Sequence, residues 1–315
     1  MAVGVTATAG APGVGLSLEG DPRRRKRERI VRSLFLAAAF VSIVISALIV
    51  VSLFREAIGF VLRVDLGALW SDGWFPRRGL YDIRTIVVGT LLVTGVGMLV
   101  AAPIGLGAAV YLSEFARPRV RRLLKPILEV LAGIPSVVMG FFALTWISPN
   151  IVQTLWADAT LFNLAAAGIG VGILTIPLVA TIAEDAMHAV PHSLREAAYG
   201  LGSRKRTTSL RVVFPAAISG IVAALIVGVS RAVGETMVVA IAAGGTGGSL
   251  FTVDVTGPGQ TMTAAMMAVA TGSDRVKGAA LTFESMFFVG ALLFVMTFSL
   301  NLVSERFVRR FRRRF

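Results

Sequence analysis

The chain has 315 residues, 55% hydrophobic and only 16% charged, yet Lys and Arg outnumber Asp and Glu by 31 to 18, a formal net charge of +13. A soluble domain carries roughly 25% charged residues, and a basic nucleic-acid binder spreads its charge over a polar surface, whereas here apolar runs long enough to cross a bilayer separate the charges. The composition excludes both classes and predicts an all-α polytopic membrane protein.

The elements follow in chain order. Residues 1–32 are rich in Gly, Ala and Thr as far as Gly20 and then basic through RRRKRER, which predicts a disordered basic tail. Ser33–Phe54 is a run of 22 residues without Asp, Glu, Lys or Arg, against the roughly 20 that a bilayer needs. It exceeds a secretory h-region and follows a long tail, so it predicts a retained membrane helix and not a cleaved signal. Residues 55–84 form a loop with Trp70, Trp74 and Phe75 beside Arg77 and Arg78, read either as aromatic anchors in the membrane interface or as a rim for protein docking.

Thr85–Ser113 (29 residues), Val130–Ala157 (28) and Ala159–Ala183 (25) are the next uncharged runs. Pro135 is expected to break the third span where backbone lines a cavity. Gly168, Gly170 and Gly172 follow three alanines and predict close helix approach. The chain contains neither a complete G-x-G-x-x-G nor a G-x-x-x-x-G-K-[ST], so it carries no nucleotide site of its own. His188 and His192, the two imidazoles, fall in a charged loop over 184–211 and read as solvated; with no cysteine in the chain, neither a disulfide framework nor a metal site is predicted. Val212–Ser230 is a 19-residue run that continues past Arg231 and Glu235 to Ala243. In the loop 244–284 a glycine cluster precedes Met262, Met266 and Val269, whose spacing predicts a short amphipathic helix. Ser285–Ser304 (20 residues) closes the set before a basic tail, 305–315. Six helical spans result, since strand-built barrels show short alternating segments instead. Of the 31 basic residues, 23 lie in 1–32, 114–129, 184–211 and 305–315, and 7 in the intervening loops. The positive-inside rule makes the first set cytoplasmic, with both termini inside.

Two constellations carry chemistry. Were the fifth span helical from Pro215, Arg231 would lie about 24 Å along it, past the midplane. Each charge there costs roughly 2.5–3.5 kcal/mol, so both Arg231 and Glu235 are expected to face the bundle interior or a water-filled path. Their spacing of four places them on one helical face, where the carboxylate partly neutralises the guanidinium. The pair reads either as a structural ion pair or as an oxyanion site, for which the planar fork of arginine is suited. The second constellation is PHSLREAAYGLGSRKRTTSLRVVFPAAISG. Ser193 is expected to cap a helix from Leu194, with Glu196 completing a capping box and Gly200 and Gly202 ending it; the alternative is an amphipathic connector whose basic residues meet lipid phosphates.

Glu196-Ala197-Ala198, Gly202 and, nine residues on, Val212-Val213-Phe214-Pro215 fit the E-A-A-x3-G-x9-I-x-L-P pattern of ABC importer permeases, with Val for Ile and Phe for Leu. The stretches GTLLVTGVGMLVAAPIGLGAAVYLSEFA, LAGIPSVVMGFFAL and SRAVGETMVVAIAAGG resemble the phosphate-specific (Pst-type) permeases, the C-type subunit more than the A-type. The resemblance runs from about Phe60 to Arg310. It implies a type I importer fold with a permease core over 85–304, in a bacterial cytoplasmic membrane. It also implies a second, A-type permease, an ATPase dimer inside and a phosphate-binding protein outside. Carried over, Glu196, Ala197, Ala198 and Gly202 are ATPase-coupling contacts, Pro215 starts the next long helix, and Arg231 and Glu235 serve phosphate passage. A permease for another oxyanion and, from a different class, a proton-coupled transporter are the alternatives. No cofactor or nucleic-acid partner is expected.

Overall fold

The computed structural model describes residues 22–245, 247–272 and 281–312. The chain divides into two units, Met1–Ser52 and Leu53–Phe315. The described part of the first unit is the leading stretch of helix α1 (Pro22–Val61). Along it Leu34, Phe35, Phe40, Ile43 and Leu48 are each more than half exposed. The helix includes residues 22–32, expected to be disordered: Arg, Lys and Glu are good helix formers, and extending an existing helix needs no new nucleus. The rest of that tail, 1–21, lies outside the described residues.

The second unit begins within α1, whose end at Val61 takes seven residues from the predicted loop. Strands β1 (Trp74–Phe75) and β2 (Leu80–Tyr81) then pair antiparallel, Trp74 opposite Tyr81. Phe60 meets Tyr81 edge-on at 5.1 Å and stacks on Phe288 at 5.0 Å. Trp74 exchanges two backbone hydrogen bonds with Ser249 and is 1% exposed. It is therefore core and not an interfacial anchor, whereas Trp70 is exposed.

Helices α2 (Ile83–Phe115), α4 (Ser136–Leu155), α5 (Leu164–His188) and α11 (Thr282–Arg312), with α1, contain five segments long and apolar enough to cross a membrane. Helices α7 (Lys205–Ala216) and α8 (Ile218–Val233) meet at 71° and make the sixth. The six-span, all-α expectation holds, with two changes of boundary. Residues 118–132 form a separate amphipathic helix, α3 (Pro118–Ala132), and the third span starts at Ser136 with Pro135 as its N-cap. Pro135 thus breaks the predicted 130–157 run as expected, the helix before it ending at Ala132 and α4 starting after it, because a proline drives the residue before it out of helical backbone.

Glycines let α2 and α5 touch backbone to backbone. A β-carbon on Gly172 would lie 2.6 Å from the Gly97 carbonyl oxygen, and one on Gly168 2.6 Å from Val96 Cβ, so the predicted close approach is present. Asn163 starts α5, its Oδ1 accepting from the Ala166 amide at 2.6 Å while its Nδ2 donates to Ser148 Oγ. Helix α6 (His192–Gly200) follows α5, α9 (Met237–Ala242) follows α8, and α10 (Met262–Thr271) falls where the methionine spacing placed it.

Candidate functional sites

The 193–202 segment is helical, but its start differs from expectation. Helix α6 begins at His192 with Pro191 as N-cap, and no side chain caps its first amides. Ser193 lies inside the first turn because Pro191, extended with φ −55° and ψ 138°, pre-sets the entry two residues early; the capping box is absent. The end is as predicted. Gly202 takes φ +77°, its amide bonds the Tyr199 carbonyl at 2.9 Å, and the Ser203 amide bonds the Ala198 carbonyl at 3.0 Å. This paired closure needs a left-handed residue, which glycine adopts without strain. Glu196 and Ala197 are exposed and Ala198 is buried, so the helix presents the first two outward. Pro215 does not start the long helix: it lies in α7 after a widened turn over Ser209–Val213, and α8 begins beyond the bend at Ala217.

The sequence reading missed two buried carboxylates, one at the end of α2 and one near the end of α5. Glu114, at the end of α2, is 8% exposed and pairs with Arg195 Nη2 at 2.9 Å. Ser209 Oγ, which donates to the Lys205 carbonyl at 2.9 Å, lies 3.5 Å from the other Glu114 oxygen. Glu184, near the end of α5, is fully buried and pairs with Arg121 Nη2 at 2.6 Å and Lys125 Nζ at 3.4 Å. Burial pulls the Lys125 ammonium down, but the charges of Glu184 and Asp185 outweigh it and hold the group above the usual lysine range. The signal available in sequence was the acid that ends each of these two apolar runs, Glu114 after Ser113 and Glu184 with Asp185 after Ala183, with Arg121 and Lys125 four apart on α3.

The intramembrane pair is arranged differently from a continuous helix. Helix α8 ends at Val233 and α9 starts at Met237, so Glu235 lies in the break while Arg231 sits in the last turn of α8. With α8 starting at Ile218, Arg231 is about 20 Å along it. Glu235 Oε1 accepts from the Thr236 amide at 3.2 Å and the Val238 amide at 3.5 Å, and its carbonyl accepts from Thr263 Oγ1 at 2.7 Å. The carboxylate thus competes with helix propagation at Gly234 and caps α9 instead of neutralising Arg231. Arg231 is exposed and forms no ion pair among the described residues.

Residues 101–315 match the family model described as the binding-protein-dependent transport system inner membrane component. The chain belongs to this family. Its relatives include the phosphate transport system permease protein PstC of Xylella fastidiosa 9a5c, 31% identical over 78% of this chain and 79% of the relative. Another is the phosphate transport system permease protein PstA 1 of Mycobacterium tuberculosis H37Rv, 33% identical over 69% of this chain and 70% of the relative. Among solved structures, a bacterial ABC transporter for import of the acidic polysaccharide alginate superposes with TM-score 0.58 at 15% identity, covering 91% of this chain and 99% of that one. That likeness shows the fold, the importer-permease fold the sequence predicted. As a family member the chain is a multi-pass inner-membrane transport subunit, not an enzyme, in a system with a binding protein and an ATPase. The matched region includes α6, both buried carboxylates and the Arg231–Glu235 break, and leaves α1 outside.

Proposed function

We propose that this chain is the C-type permease of an ATP-driven phosphate importer, with both termini cytoplasmic. It pairs with an A-type permease, receives phosphate from an external binding protein, and is driven by an ATPase dimer seated on α6. The observation that carries the reading is Arg231: a guanidinium in the last turn of α8, about 20 Å along that helix, exposed and without an ion-pair partner among the described residues. A cation kept in a low-dielectric path at a cost of about 2.5–3.5 kcal/mol has a use if an oxyanion passes it, and its planar fork suits phosphate. The relatives named for phosphate transport support that solute over other oxyanions. Glu196, Ala197, Ala198 and Gly202 are assigned to the ATPase contact, with Pro215 shaping the bend into α8. The PstA 1 relative favours one second reading, the A-type subunit.

The test is purification in mild detergent followed by reconstitution. An ATPase and a second permease co-purify, and phosphate uptake requires ATP and the binding protein; uptake by this chain alone would overturn the reading. In the same complex Glu196→Lys is expected to lower phosphate carried per ATP by about tenfold, within the usual range of coupling energies.

A further inference from the structure

Helix α6 is joined to the membrane body by few contacts. Ala198 is its one buried residue, so apolar packing secures it weakly. Its remaining inward side chain is Arg195, 12% exposed, next in sequence to the outward Glu196. Arg195 Nη1 donates to the Val190 carbonyl at 2.6 Å, and Nη2 donates to the Met187 carbonyl at 2.9 Å and to Glu114 Oε1 at 2.9 Å. The first two acceptors lie at and beyond the end of α5, where the guanidinium bonds the Val190 carbonyl and shares the Met187 carbonyl with the Val190 amide. The third terminates α2 in a widened turn, Tyr111–Phe115, closed by the Ala116 amide on the Tyr111 carbonyl at 2.7 Å. Ser209, 3.5 Å from the far oxygen of Glu114, opens the widened turn within α7. One buried ion pair therefore gathers α6 and the ends of α2 and α5 beside the widened turn of α7.

We propose that Arg195 and Glu114 form the joint through which displacement of α6 reaches α2, α5 and α7, Arg195 acting as a positioning residue that never meets the solute. This rests on the reading of α6 as the ATPase contact. A planar fork fixed by three acceptors transmits a displacement rigidly, whereas a single apolar contact lets the helix slide over its support. The partners are 81 residues apart in sequence, so the pair couples elements that the chain itself does not join closely.

The assembled complex, reconstituted in vesicles with its binding protein and ATPase, tests this by the number of phosphates carried per ATP hydrolysed. Wild type is measured first: absence of ATP-dependent phosphate uptake there refutes the transport reading and leaves no coupling to explain. With wild type active, Glu114→Gln and Arg195→Met are each expected to bind the ATPase in normal stoichiometry yet lower phosphate per ATP about tenfold, a typical coupling effect. The double variant falls no further than either single one, since both remove the same link. Normal stoichiometry of transport in both single variants overturns the joint, as do losses that multiply in the double variant. If Arg195→Met fails to assemble, Arg195→Lys keeps the charge, loses the fork and carries the same expectation; full coupling with Lys contradicts the inference.

Discussion

The buried acids Glu114 and Glu184 each have a cation within 2.9 Å, whereas Arg231, deeper in the span, has no carboxylate partner among the described residues. Glu235 stands between these cases: it is near enough in sequence to be the partner of Arg231, and its Oε1 caps α9 instead. Desolvated charge is tolerated in a protein when it is paired and hydrogen-bonded. The paired set therefore holds elements together, and the exposed Arg231 is, on the proposed function, the guanidinium that the solute meets.

The contrast can be broken by substitution. Glu184→Ala has the largest expected effect on stability, roughly 2–4 kcal/mol, because it strands two cations beside a buried site, the figure reduced from a fully buried pair by their partial hydration. Thermal unfolding in detergent measures it, and Glu184→Gln is expected to lose less. Gly172→Val separates α2 from α5 and is expected to cost about 1–3 kcal/mol as overpacking, seen as a lower unfolding temperature. Glu235→Ala removes the α9 cap, worth about 1 kcal/mol, and is expected to lower both stability and uptake. Ser193→Ala is expected to change stability by under about 0.5 kcal/mol, since Ser193 caps nothing; a loss as large as that of Glu235→Ala would restore the capping box.

Much of this was legible in the sequence. Run lengths gave six spans, the Ala-Gly run gave the α2–α5 contact, and Gly202 gave the end of α6. Three things were not legible, each for a physical reason. Counting uncharged residues cannot show that Glu235 outcompetes the helix at Gly234, because hydropathy does not register a carboxylate bonding backbone amides. The aromatic pattern at 70–75 suits an interface as well as a core, and only the pairing of Trp74 with Tyr81 and Ser249 decides it. The Glu114–Arg195 pair spans elements with no shared periodicity, so nothing local announces it.

The most direct measurement is ATP-driven uptake of labelled phosphate by the reconstituted complex carrying Arg231→Gln. The account predicts an unfolding temperature and ATPase stoichiometry like wild type, since Arg231 supports no structural ion pair, together with loss of uptake by about a hundredfold or more, the effect of removing a charged hydrogen-bonding partner from a desolvated site. Uptake near the wild-type rate would contradict it, as would a variant that fails to fold for want of that one guanidinium.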